Sequence, residues 1–276
     1  MNPLFIPTLL LSLVLFFTGL EIARSLKSSS VFLIISMMAA TPAILFAAYY
    51  TKTFGEAEWF YRFRSWPFTE FSAAGIGFLG GWFQYRREEC PRIKKIVSAF
   101  FIPGLMLLCV TAPYLKQIFL RPDWSSFSDR WSEGVCLQSS ESSCGPASAA
   151  TLLHAFGKQA TEYELAKESF TTRRGTENWY LLRTIRRHGL DANYLITLPG
   201  NDRIRHPAIA GVKLKDCPEA GHFIAILDGN NGRFIIGDPL NGREEVSRKQ
   251  IAERYLFTGF YVLISNPVAA PPSSKK

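Results

Sequence analysis

The chain has 276 residues and a formal net charge of +8, from 31 Lys and Arg against 23 Asp and Glu. The charge is spread: residues 1–119 hold 11 basic and 6 acidic residues, and residues 120–276 hold 20 and 17. A nucleic-acid surface needs basic residues clustered on one face beside stacking partners. The second half has no such cluster, and the basic excess of the first half lies in short loops between apolar runs.

Three of those runs, Pro3–Leu20, Val31–Tyr50 and Ile96–Tyr114 (with Pro103 inside), are about long enough to cross a ~30 Å hydrocarbon core as helices. A fourth, Phe71–Tyr85, is shorter. Gly80 and Gly81 lower its helix propensity, while Gly75, Gly77, Gly80 and Gly81 would let a neighbouring helix come close. No Lys or Arg precedes the first run, and no small-x-small cleavage site follows it before Glu21. It therefore reads as an uncleaved span and not as a secretory signal. With about four spans, the loops 21–30 and 86–95 share one side, carrying Arg24 and Lys27, and Arg86, Arg87, Arg92, Lys94 and Lys95. The loop 51–70 and both termini share the other. The positive-inside tendency then puts the second half outside the cytoplasm; three spans would reverse that. The aromatic loop 51–70 (Trp59, Phe60, Tyr61, Trp66 among others) reads as an interfacial belt.

Residues 120–133 read as a linker. A helix is expected over Cys144–Phe156, capped by Ser142 or Ser143 and ended by Gly157. Two more are expected over Tyr163–Phe170 and Glu177–His188, the latter closed by Gly189. Short β-rich runs follow: Ala192–Thr197, Ala208–Leu214, His222–Leu227, Arg233–Ile236 and Gly259–Ile264. Asn230-Asn231-Gly232 supplies a hairpin turn between the third and fourth. Helices first and strands afterwards indicate an α+β domain. The tail 267–276, rich in Pro, Ser and Lys, reads as disordered.

Four residues of this half form a possible acyl-transfer site. Cys144 would open a helix, where first-turn N–H groups and the dipole favour an anion and raise the thiolate fraction. Gln138, six residues earlier, could donate its side-chain amide to an oxyanion together with the Cys144 N–H. His222 would be the base. Asp238 lies at the far end of the Asn-Gly hairpin, which would bring it beside His222 to fix the imidazole tautomer. Each has a plain structural alternative: a packed thiol, a loop glutamine, a half-buried histidine, a turn aspartate before Pro239. Their conjunction favours the site. Cys136 and Cys217 are free to pair or to stay as thiols, and Cys90 and Cys109 read as structural. His154, His188 and His206 lack zinc-ligand spacing to any cysteine.

Gln138, Cys144-Gly145, His222-Phe223 and Asp238-Pro239 together resemble the peptidase C39 family, papain-like domains that remove double-glycine leaders from secreted peptide precursors. The resemblance covers roughly residues 134–266 and implies an α+β papain-like cysteine peptidase domain, preceded by a multi-span α-helical membrane region (1–119). By it Cys144 is nucleophile, His222 base, Asp238 orienting carboxylate and Gln138 oxyanion donor, with no cofactor or metal. It differs from the family's well-known exporter-borne members in placing the membrane part first and in having no phosphate-binding Gly-x-x-x-x-Gly-Lys-Ser/Thr loop. The expected setting is a bacterial inner membrane, and the expected partners are a peptide or protein substrate, the lipid bilayer and a separate ABC-type exporter. The alternatives are a non-hydrolytic peptide-binding domain serving that exporter, a transglutaminase- or amidase-type acyl transferase on the same triad, and a membrane scaffold with no reactive thiol.

Overall fold

The computed structural model describes residues 1–27, 29–55, 57–88, 92–198 and 203–267. The chain divides into two compact units, Met1–Ala57 with Trp66–Phe119, and Glu58–Ser65 with Leu120–Lys276.

The first unit is a helical bundle. Helix α1 spans Phe5–Ser25 and α2 spans Ser30–Tyr50; a short α3, Glu58–Arg64, belongs to the other unit. A 3-10 stretch, Thr69–Gly75, then runs directly into α4, Ile76–Glu88, and α5 covers Arg92–Phe119. Large apolar side chains such as Leu13, Phe17, Ile34, Met38 and Phe101 point outward, an exterior that water disfavours and lipid accepts. Hydroxyls are satisfied within their own helices, as in Thr8 Oγ1 to Leu4 O and Ser36 Oγ to Phe32 O, both 2.7 Å. Such internal pairing is what a segment without water requires.

Glycines draw α4 into this bundle. A Cβ on Gly77 would strike the backbone of Ser12, one on Gly81 that of Phe16, and one on Gly75 that of Ala39. The ascending pairs Ser12–Gly77 and Phe16–Gly81 show α4 running parallel to α1. At one end of the bundle the backbone N–H of Asn2 donates to Gln117 Oε1 at 2.8 Å, and its side-chain amide donates to Glu70 Oε1 at 3.4 Å. The start of α1, the start of the 3-10 stretch and the end of α5 therefore lie at the same level. Three helices, α1, α2 and Phe100–Phe119 of α5, are long and apolar enough to cross a membrane. The expected fourth run forms a 3-10 segment and a 13-residue α-helix. It falls outside that count because its α-helical part is only 13 residues long.

The second unit is α+β. Strands β1 (Arg130–Ser132) and β2 (Val135–Leu137) form a small antiparallel pair, so the segment expected as a bare linker contributes a strand. Helices α6 (Cys144–Ala155), α7 (Glu162–Glu168) and α8 (Asn178–Arg187) follow. Gly157 and Gly189 adopt φ of 72° and 82° just beyond α6 and α8, as helix-ending glycines do. Then come β3 (Asp191–Ile196), β4 (Ala208–Leu214), β5 (Cys217–Asn230), β6 (Arg233–Asp238), β7 (Gly242–Ser247), α9 (Arg248–Arg254) and β8 (Tyr255–Ser265). The strands form an antiparallel sheet in the order β3-β8-β4-β5-β6-β7.

Ala208, Ala210, Val212, Ile224, Ile226, Ile236 and Tyr261 are buried together in one core cluster with Ile251 of α9. The α9 helix carries a capping box, Ser247 with Gln250. Neither β7 nor α9 was expected, since Gly242–Ser247 carries charges on an edge strand and α9 spans only 7 residues. Strand β5 begins at Cys217, so His222 sits inside a long strand and not at its start. Cys136 and Cys217 are both free thiols, the first buried and the second exposed. Cys90 and the tail beyond residue 267 lie outside the described residues.

Candidate active site

Cys144 is the first residue of α6, and the helix leaves its early N–H groups without intrahelical partners. The approach is a tight serine turn. Ser140 N donates to Ser143 Oγ at 3.0 Å, and Ser143 N donates to Ser140 O at 3.2 Å. Buried Glu162 at the start of α7 holds this turn from the side, accepting from Ser139 N at 2.8 Å and from the Ser139 hydroxyl.

The strands meet α6 through specific ties. Ser148 Oγ donates to the carbonyl of Phe223, next to His222, at 3.0 Å. Thr151 Oγ1 accepts from Cys136 N of β2 at 2.9 Å. Gly237 lets β6 approach closely: a Cβ there would lie 3.0 Å from both Thr151 Cγ2 and Val135 Cγ2. Asp238 is the next residue.

The hairpin brings His222 and Asp238 together. Asn231 and Gly232 form its two-residue turn with φ of 50° and 78°, the left-handed pair that a type I′ turn needs. Opposite it, His222 Nε2 lies 2.8 Å from Asp238 Oδ1, and the Cys144 thiol is near enough to His222 to favour its charged form. Cys144, His222 and Asp238 are 8%, 6% and 0% exposed, so all three are sheltered from solvent.

Gln138 joins the same place through its backbone, donating N–H to Pro239 O at 2.9 Å. Its side-chain Nε2 donates to Ser140 O at 2.8 Å, and its Oε1 is buried without a partner among the described residues. One amide hydrogen is thus fixed by the turn and the second is available to another acceptor.

The carboxylate of Asp238 receives more than the sequence suggested. Leu240 N donates to Oδ1 at 2.9 Å, Asn241 Nδ2 to Oδ2 at 2.8 Å, and Tyr255 Oη to Oδ2 at 2.6 Å. Asn241 had a faint signal, three residues after an Asp-Pro turn. Tyr255 had none, because it arrives from β8 across the fold. Burial works against the charge on Asp238, but donation from His222, Tyr255 and Leu240, with the imidazole's positive charge, outweighs it. Its pKa falls from 3.8 to about 2. Burial likewise disfavours imidazolium at His222. The hydrogen bond to Asp238 and the influence of Cys144, with the negative charge of both, outweigh that and raise it from 6.5 to about 9.

Cys136 is chemically different. Burial, then the charges of Glu162 and Asp129, push its thiol pKa upward. Among the described residues, no cluster of three His, Cys, Asp or Glu could hold a metal ion.

A family model described as the peptidase C39 family matches residues 132–268. An uncharacterized protein of Methanothermobacter thermautotrophicus is 32% identical over 135 residues, which cover 49% of this chain and 90% of that protein. A second, from Methanothermobacter marburgensis, is 30% identical over 132 residues, covering 48% and 88%. Among solved structures, the double glycine motif protease from an AMS/PCAT transporter, in complex with the leader peptide, is similar at 20% identity. That match covers 48% of this chain and 91% of the other, with a TM-score of 0.40.

Proposed function

The chain belongs to the peptidase C39 family, and from that membership we propose that it is a membrane-anchored cysteine peptidase acting on peptide or protein substrates. Its second half is a papain-like α+β domain, and a helical region precedes it in the chain. The observation that carries the reading is His222, hydrogen-bonded to buried Asp238 at 2.8 Å and held in its charged form in part by the Cys144 thiol, which opens a helix.

In this reading Cys144 Sγ attacks the scissile carbonyl as thiolate, helped by the imidazolium of His222 beside it. The tetrahedral oxyanion takes the Cys144 N–H and the free amide hydrogen of Gln138. Collapse breaks the C–N bond, and His222 gives its proton to the departing amine. Water, deprotonated by His222, then hydrolyses the thioester. Asp238 holds the ring orientation throughout and stays ionised. The chemistry calls on no metal or nucleotide.

We further propose about four crossings in residues 1–119, with residues 134–266 as the peptidase domain and outside the cytoplasm. The common level of Asn2, Glu70 and Gln117 supports this. The 3-10 stretch and α4 start at the end of the bundle where α5 finishes, so the chain must travel its length between them. At ~2.0 Å per residue for 7 residues and ~1.5 Å for 13, that pair reaches about 33 Å. Leader peptides, handed to or from a separate exporter in the same membrane, are the substrates that best suit this setting.

The test is iodoacetamide alkylation of Cys144 in the full chain across pH 4–9, for wild type and His222→Ala. Fast alkylation well below the free-thiol range of about 8.5, lost in His222→Ala, is expected. Slow alkylation unaffected by His222→Ala overturns the reading.

A further inference from the structure

The short helix α3 interrupts the membrane half of the sequence, yet it belongs to the compact unit that contains the candidate site. It lies outside residues 132–268, the part matched by the family model. Its aromatic residues were expected to sit among lipid headgroups. Instead Phe60 and Tyr61 are buried at 1% and 0% exposure, and Arg64 at 1%.

What buries them is an aromatic face built by α8, β3 and β8. The Phe60 and Tyr61 rings lie 5.9 and 6.0 Å from that of Trp179, and Tyr61 lies 5.8 Å from Tyr194 and 6.0 Å from Phe260. The Arg64 guanidinium sits 5.0 Å above the Trp179 ring, where its charge is stabilised by the π-face. Polar bonds fix the register. Arg183 Nε donates to Arg64 O at 3.0 Å, and Arg62 Nη2 donates to Tyr194 O at 3.2 Å. The face leads to the candidate site, because the Phe260 ring lies 6.0 Å from that of Phe223, whose neighbour is His222.

We propose that Glu58–Ser65 is a docking segment built into the connection between α2 and α4, and that it completes the peptidase unit by covering the Trp179–Tyr194–Phe260 face. An aromatic face of this size left bare would draw the unit into association. An in-chain segment covers it without the translational cost of recruiting a partner. Connectivity adds a consequence: the chain enters this unit twice, at 58–65 and at 120, so the 51–68 connection and the peptidase unit occupy one compartment. This rests on the bundle spanning a membrane, and the test separates the two ideas.

The experiment uses the full chain in membranes. Tyr61→Ala and Arg64→Ala should speed limited proteolysis within residues 120–267 by about tenfold or more, as a weakened docking raises the open population. Trp66→Ala, an exposed aromatic of the same connection, should leave it unchanged. The reverse pattern, with Trp66→Ala alone altering the protein, restores the headgroup belt and overturns the proposal. In sealed vesicles, an impermeant maleimide should reach Lys52→Cys and the exposed native Cys217 from the same side, in a chain with Cys90 and Cys144 replaced by serine. Reaction from opposite sides overturns the proposal. Reaction of both from either side sinks the membrane reading instead, and proteolysis then decides the docking alone.

Discussion

Tyr255, the first residue of β8, donates to Asp238 Oδ2 at 2.6 Å, while His222 occupies Oδ1 of the same carboxylate at 2.8 Å. The tyrosine thus fixes the plane in which Asp238 meets the imidazole, and Asn241 supports it from the turn. Tyr255→Phe removes one donor to a buried charge, a loss of about 1.5–3 kcal/mol in stability. A melting curve should show it, and peptide cleavage should fall less than in Asp238→Ala, where the charge itself is gone. Equal loss in the two variants would mean that the phenol does more than orient the carboxylate.

The two shifted groups set the pH response. His222 rises from 6.5 to about 9 on folding, so the stability it contributes is complete below about pH 6.5 and is lost as the pH climbs through 9. Asp238 falls from 3.8 to about 2, so its contribution is present above about pH 4 and is lost as the pH drops through 2. A shift of that size at His222 corresponds to roughly 3 kcal/mol, shared with its partners. Thermal stability of wild type should therefore decline between about pH 6.5 and 9, and His222→Ala should decline much less. Identical slopes would show that the imidazole is not held charged.

Much of this site could be read from residue order. Asn231-Gly232 demands a two-residue turn, which makes β5 and β6 neighbours and brings His222 to Asp238. Gly157 and Gly189 mark helix ends because only a left-handed residue fits there. The docking of α3 was illegible for a physical reason. An aromatic-rich loop beside a span has the same composition whether it faces headgroups or a protein surface, and only Trp179, Tyr194 and Phe260, all distant in sequence, decide. Tyr255 was illegible in the same way, since its partner lies in another strand. Strand β7 was missed because its charged residues face outward from an edge.

The glycines of α4 make the bundle a separate target. Gly77 and Gly81 lie against the backbones of Ser12 and Phe16, so Gly81→Leu cannot be accommodated without separating α4 from α1. Loss of folded protein is expected, whereas Gly104→Leu, where a Cβ meets nothing, should express normally. Normal yield of Gly81→Leu would refute the tight α1–α4 pairing.

Gln138 offers the sharpest separation of binding from chemistry. Its amide is anchored to Ser140 O and, in the proposed mechanism, stabilises an oxyanion that forms only on acyl transfer. Gln138→Ala should lower kcat for peptide cleavage by about 10²–10³-fold, the usual cost of one oxyanion donor, with little change in KM. Alkylation of Cys144 by iodoacetamide passes through no oxyanion and depends only on the thiolate and its imidazolium, so its rate should stay within about twofold of wild type. Parallel loss of alkylation and cleavage would instead assign Gln138 to holding the Ser140–Ser143 turn, and through it the start of α6, with no part in the transition state.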